Sequence, residues 1–113
     1  MTEPDPRAVL AEERRATLAR LATLGDNFDQ LVAASRGDNA DDEHDPEGAT
    51  IAFERSQLDA VRRQARADLR EIDDALARIA DGSYGVCATC GREIPAGRLA
   101  ARPTARTCVA CAS

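Results

Sequence analysis

Four cysteines in the last quarter of the chain are the residues whose type and spacing point most directly to chemistry. They fall as Cys87-Ala88-Thr89-Cys90, seventeen intervening residues, then Cys108-Val109-Ala110-Cys111. Each pair is a C-x-x-C knuckle, in which two spacer residues let one tight turn aim both sulfurs at a single point. Two such knuckles at this separation form the pattern of a four-thiolate zinc site. Gly85 and Gly91 bracket the first knuckle, where the backbone must curl closely around the sulfurs. Four thiolates fill a tetrahedral ion's coordination sphere and leave no position for water or substrate, so the expected metal is one structural Zn²⁺. A pair of disulfides, or a single redox-active C-x-x-C, is the competing reading, and two matched knuckles weigh against it.

The rest of the chain must position this site with little core material. Among 113 residues there are two Phe, one Tyr and no Trp, too few aromatics for a thick globular core. Such a chain buries thin seams and relies on a staple, here the metal. The net charge of −5 argues against a surface that tracks nucleic-acid phosphates as a whole, so direct DNA binding is not expected. No apolar run approaches a membrane span, and Arg7, Arg14, Arg15 and Arg20 interrupt the start. The expected compartment is the cytoplasm, where reduced thiols favour zinc over disulfides. All 15 basic residues are arginine, a bias that a GC-rich bacterial genome would produce.

Periodicity predicts two long helices. Asp5-Pro6 reads as an N-cap followed by proline at the first helical position. From there to about Ser35, Leu10, Thr17, Leu21, Leu24, Phe28 and Leu31 keep a heptad phase, with Leu18 and Val32 widening the stripe. Gly25 is the weak point, but the seam stays in phase across it, so one helix with a kink is expected and a break at Gly25 is the alternative. Asp45-Pro46 repeats the start signature for a second helix to Ala80. Its seam is Ile51, Leu58, Val61, Ala65, Leu69, Ile72, Leu76 and Ile79. Asp59 to Arg63 and Asp74 to Arg78 place acid four residues before base, and Asp81-Gly82 ends the helix.

The fold expected is mainly α: a long antiparallel coiled-coil hairpin over residues 1–80, with a small C-terminal four-cysteine zinc finger over 81–113. Each apolar stripe can cover the other, so a monomer is expected. The hairpin tip, about residues 37–48, is acidic, and Asp42 and Asp45 there are the candidate partner-binding residues. His44 reads as an exposed loop histidine. The finger carries Arg92, Arg98, Arg102 and Arg106 against Glu93, which makes it the one region where contact with an anion is electrostatically favoured. Ile94-Pro95 and Leu99 are expected to form its small core, with Tyr84 packed at the junction with the helices.

The run Asp81-Gly82-Ser83-Tyr84-Gly85-Val86-Cys87-Ala88-Thr89-Cys90-Gly91, then Ile94-Pro95, Arg98-Leu99, Ala101-Arg102-Pro103-Thr104-Ala105 and Cys108 to Cys111, resembles the DksA/TraR zinc-finger family. The resemblance covers the last third of the chain closely and extends loosely to Asp45-Pro46 and the helix after it. It implies a bacterial transcription regulator that inserts its hairpin into the secondary channel of RNA polymerase and alters initiation, often together with ppGpp. The four cysteines match the family's zinc ligands. The family's tip reads Asp, two residues, Asp, one residue, Ala; Asp45 matches the first Asp, with Gly48 and Thr50 at the other two places. A shifted register matches Asp42 and Asp45, with Glu47 at the Ala position. Arg102 matches one basic residue that meets ppGpp in the family, while Ala112 stands where another would be.

Two other classes fit the same features. A zinc-ribbon nucleic-acid-binding protein would use the finger arginines, and a coiled-coil adaptor would use the outer face of the hairpin. An enzyme is not expected, because the sequence shows no open metal site, Cys/His pairing or phosphate-binding glycine loop.

Overall fold

The computed structural model describes residues 5–37 and 46–112. Asp42, His44 and Asp45, the tip residues singled out from the sequence, lie outside the described residues. Two long helices form a hairpin: α1 over Pro6–Gly37 and α2 over Pro46–Asp81. A short helix α3, Ala96–Ala101, and a single 3₁₀ turn, Val109–Cys111, lie in the C-terminal segment. Among the described residues the β structure amounts to one antiparallel bridge, Val86 to Glu93. No helix among them is long and apolar enough to cross a membrane.

The start of α1 follows from its first residues. The Asp5 carboxylate accepts the Arg7 N–H at 3.1 Å, and the Asp5 carbonyl accepts the Val9 N–H at 3.1 Å. Pro6 takes the first helical position, where its missing N–H costs nothing. The helix runs unbroken through Gly25, where nothing lies within 4 Å of the place a Cβ would occupy.

The chain forms two compact units, Met1–Ala16 with Leu69–Ser113, and Thr17–Asp68. In the first, Leu10 is fully buried against Ile72 and Ala75, and Leu76, Ile79 and Tyr84 close the cluster. Burying a leucine is worth about 2 kcal/mol, which makes this cluster the main tie between the start of α1 and the end of α2. Arg14 Nε donates to Asp73 Oδ1 at 2.7 Å across the two helices; both side chains are near half-exposed, so the pair contributes about 0–1 kcal/mol.

In the second unit Thr17 and Ala65 are buried, and Leu21, Leu24, Phe28, Leu31 and Leu58 are half-buried. The seam differs from expectation at two places. Val61 is 48% exposed and Leu18 is 41% exposed. On α2 the inward position falls to Arg62, whose guanidinium lies 4.7 Å from the centroid of the Phe28 ring, with Arg55 at 5.8 Å. The inward steps are therefore Leu58, Arg62, Ala65, Leu69 and Ile72, an unbroken alternation of four and three residues. A cation over an aromatic face is worth about 0.5–1 kcal/mol at such a site, and the arginine stem adds packing.

Gly82 ends α2. The Ser83 N–H donates to the Arg78 carbonyl at 2.9 Å and the Gly82 N–H to the Ile79 carbonyl at 3.3 Å, the paired bonds of a Schellman cap. Gly82 has φ +84°, a left-handed conformation that a Cβ disfavours. The Asp81 carboxylate accepts the Ser83 hydroxyl at 2.6 Å and its N–H at 2.9 Å. These bonds, the hydroxyl's first, hold its pKa below the usual carboxylate value.

The two helix-associated glycines give predictions of opposite sign. Gly25→Ala adds a methyl to open space in a helix interior and should stabilise by roughly 0.5–1 kcal/mol. Gly82→Ala puts a Cβ on a left-handed residue and should destabilise by about 1 kcal/mol. Thermal unfolding followed by helix ellipticity should show melting midpoints displaced in opposite directions by a few degrees.

Candidate metal centre

The first knuckle sits at the end of a minimal hairpin. Val86 and Glu93 bridge, Cys87 N–H donates to the Arg92 carbonyl at 2.8 Å, and Ile94 N–H donates to the Gly85 carbonyl at 2.7 Å. Gly85 and Gly91, which bracket it, have φ of +86° and +75°. Gly91 N–H closes the turn on the Cys87 carbonyl at 3.0 Å, and Cys90 N–H points at Cys87 Sγ from 3.5 Å. The second knuckle is the 3₁₀ turn itself, with Cys111 N–H donating to the Cys108 carbonyl at 3.1 Å. Ala88 N–H donates to the Arg106 carbonyl at 2.9 Å and joins the two halves.

The result brings all four sulfurs together, each within 4.8 Å of the others. Cys90 Sγ and Cys108 Sγ are 3.8 Å apart. A tetrahedral ion with Zn–S bonds of about 2.3 Å has sulfurs about 3.8 Å apart along each edge, so the cluster fits zinc with small adjustment. A disulfide needs about 2.05 Å between sulfurs, and all four cysteines are free thiols. Four soft sulfur donors in a tetrahedral set select zinc or an iron–sulfur centre over hard cations.

The electrostatics favour a dication at the centre. The Cys90 N–H, and after it the Cys108 N–H, lower the Cys87 thiol to about 6. Hydrogen bonds to Cys108 and then to Cys87 push Cys111 up to about 12. One sulfur is thus poised as a thiolate while another holds its proton, because charge cannot accumulate on sulfurs this close together. A cation at the centre would remove that obstacle and let all four ionise.

Around the knuckles the finger packs on few side chains. Ile94 and Ala105 are each 4% exposed and form the finger's core with half-buried Leu99. Pro95 is exposed and stands at the N-cap of α3, so it does not belong to that core. The Ala-Gly-Arg-Leu-Ala-Ala run after a proline is the signal that could have revealed this helix. Tyr84 packs against the Leu10 cluster, and its hydroxyl donates to the Pro103 carbonyl at 2.8 Å; burial raises its pKa. In sequence Arg78 pairs with Asp74, and it does so at 3.1 Å. Its guanidinium also reaches the Thr104 and Ala105 carbonyls, each at 3.3 Å.

Of the four finger arginines, Arg98 donates to the Thr107 carbonyl at 2.7 Å and Arg106 pairs with Asp74 at 3.5 Å. Arg92 and Arg102 are exposed, and the Arg102 N–H caps α3 on the Arg98 carbonyl at 2.7 Å.

Residues 82–113 match the family model of the prokaryotic dksA/traR C4-type zinc finger. The RNA polymerase-binding transcription factor DksA of Escherichia coli strain K12 is 34% identical over 105 residues, which cover 92% of this chain and 69% of that protein. The solved structure of transcription factor DksA2 from Pseudomonas aeruginosa superposes with a TM-score of 0.77 at 30% identity, covering 93% of this chain and 75% of that one. The chain belongs to the DksA/TraR family. Other relatives match over less of their length. An uncharacterized protein of Aquifex aeolicus is 45% identical over 62 residues, which cover 55% of this chain and 43% of that protein. General stress protein 16O of Bacillus subtilis is 39% identical over 71 residues, which cover 63% of this chain and 44% of that protein.

The cluster predicts one Zn²⁺ per chain in native mass spectrometry at neutral pH. Metal binding needs deprotonated thiols, so affinity falls as pH falls. Zinc retention should therefore weaken on acidification, as protons compete with the ion for the four sulfurs. Cys90→Ser should weaken retention against a chelator while leaving most of the helix ellipticity of α1 and α2.

Proposed function

We propose that this chain is a bacterial transcription regulator that binds RNA polymerase. In this reading the hairpin end, residues 37–48, enters the secondary channel and modulates initiation. The observation that carries it is the match to E. coli DksA, an RNA polymerase-binding transcription factor, over 92% of this chain, helices and finger alike. Cys87, Cys90, Cys108 and Cys111 hold one structural Zn²⁺, with no position left for a reacting ligand. The role is regulatory and not enzymatic.

Asp42 and Asp45 are the working carboxylates of the tip. Asp45 immediately precedes Pro46, the first residue of α2, and an acidic group beside a helix N-terminus is favoured by the dipole. Carboxylates delivered to a nucleotidyl-transfer centre would meet Mg²⁺ or basic side chains there. Arg102, exposed on the finger, is the residue proposed to meet ppGpp. The protein acts as a cytoplasmic monomer, each helix stripe covered by the other.

The double variant Asp42→Asn/Asp45→Asn keeps side-chain size and removes two charges. It should still co-purify with RNA polymerase yet lose most of its effect on transcript initiation in a purified system. An unchanged effect would place the activity elsewhere on the molecule, and a wild type that does not bind polymerase would end the reading. Light scattering after size exclusion should give the mass of a single chain at micromolar concentration.

A further inference from the structure

Arg78 stands near the end of α2 with only 14% of its side chain exposed, and each of its three guanidinium nitrogens donates a hydrogen bond. Nε donates to Asp74 Oδ2 at 3.1 Å, Nη1 to the Ala105 carbonyl at 3.3 Å and Nη2 to the Thr104 carbonyl at 3.3 Å. Its Cζ also lies 5.9 Å from the centroid of the Tyr84 ring.

The carbonyls it holds belong to a strap with no strand partner. From Pro103 to Thr107 every backbone carbonyl is nonetheless taken. Pro103 accepts from the Tyr84 hydroxyl at 2.8 Å, and Thr104 and Ala105 accept from Arg78. Arg106 accepts from the Ala88 N–H of the first knuckle at 2.9 Å, and Thr107 accepts from Arg98 at 2.7 Å. The next residue is Cys108. The first half of the strap is therefore held from Arg78, near the end of α2, and from Tyr84, three residues beyond that end, and the second half from Ala88 and Arg98 of the finger. A planar guanidinium can reach two adjacent carbonyls and a carboxylate together, whereas an ammonium offers no such fork.

We propose that Arg78 is the positioning residue that couples the metal centre to the end of α2. By fixing the strap it presents the second knuckle to the first in the arrangement that takes the ion. By the same linkage the bound ion stabilises the Arg78 clamp and the seating of Tyr84, because a coupling free energy acts equally in both directions. Groups that orient ligands from outside the coordination sphere typically change metal affinity by 10–100-fold when removed, so the expected effect is large enough to measure. The inference rests on the zinc reading made under Proposed function.

The test uses the full chain loaded with zinc, in wild type, Arg78→Lys, Arg78→Met and the control Arg92→Gln, a change at an exposed finger arginine whose backbone carbonyl alone is used. Zinc content is measured first, then the rate of transfer to a chromogenic chelator. Tyr84 emission is read before and after metal removal, since it is the one tyrosine in a chain without tryptophan. Both Arg78 variants should release zinc roughly tenfold faster, with Arg92→Gln at the wild-type rate. Wild-type Tyr84 emission should shift on zinc removal. In Arg78→Lys that shift should largely vanish while helix ellipticity is unchanged, which a merely destabilised fold would not produce. Should Arg78→Met fail to fold, Arg78→Lys decides alone. Release from Arg78→Lys at the wild-type rate, or wild-type emission indifferent to zinc, overturns the coupling and leaves the metal reading standing. A wild type that holds no zinc overturns both.

Discussion

Sulfurs held within 4.8 Å of one another cannot all carry charge unless something positive sits among them, and the finger is arranged around that constraint. Backbone N–H groups of the knuckles stabilise one thiolate at Cys87, while Cys111 keeps its proton against its neighbours. The small hairpin from Val86 to Glu93, α3 and the 3₁₀ turn are each too short to be stable alone. Ile94, Ala105 and Cys87 are the buried side chains of the finger, a core too thin to hold those pieces unaided. A metal at the four sulfurs would add the cross-link that these short pieces lack.

The finger is also tied to the end of α2 by polar bonds. The Gly82 cap turns the chain sharply, so that Tyr84 reaches back to the cluster of Leu10, Ile72 and Ala75. Arg78 and the Tyr84 hydroxyl then meet three successive carbonyls, of Pro103, Thr104 and Ala105. Ala105 is buried and Pro103 and Thr104 are half-buried; a buried carbonyl left without a donor costs about 1–3 kcal/mol, so the bond to Ala105 matters most for what its loss would leave unpaired. No buried side-chain nitrogen or oxygen among the described residues lacks a partner.

Membership of the DksA/TraR family sets this arrangement in a regulatory context. The finger arginines differ in their contacts: Arg98 and Arg106 bond within the fold, and Arg92 and Arg102 are exposed. The overall charge of −5 is not that of a surface that tracks nucleic-acid phosphates as a whole.

Local chemistry made much of this protein legible from its sequence. The knuckle spacing foretold the sulfur cluster, Asp5-Pro6 the start of α1, and Asp81-Gly82 the end of α2, because each depends on residues a few positions apart. A heptad phase foretold that both helices carry a seam. Which residue fills each seam position was decided only by the facing helix: a step from Leu58 of three residues gives Val61 and of four gives Arg62, and the Phe28 ring selects Arg62. Likewise Pro95 reads as core by type and is exposed, at the N-cap of α3. Arg78 finds its carbonyls 26 and 27 residues further along the chain. An arginine's reach in sequence is unlimited, and only the tertiary fold determines which acceptors lie within hydrogen-bonding distance.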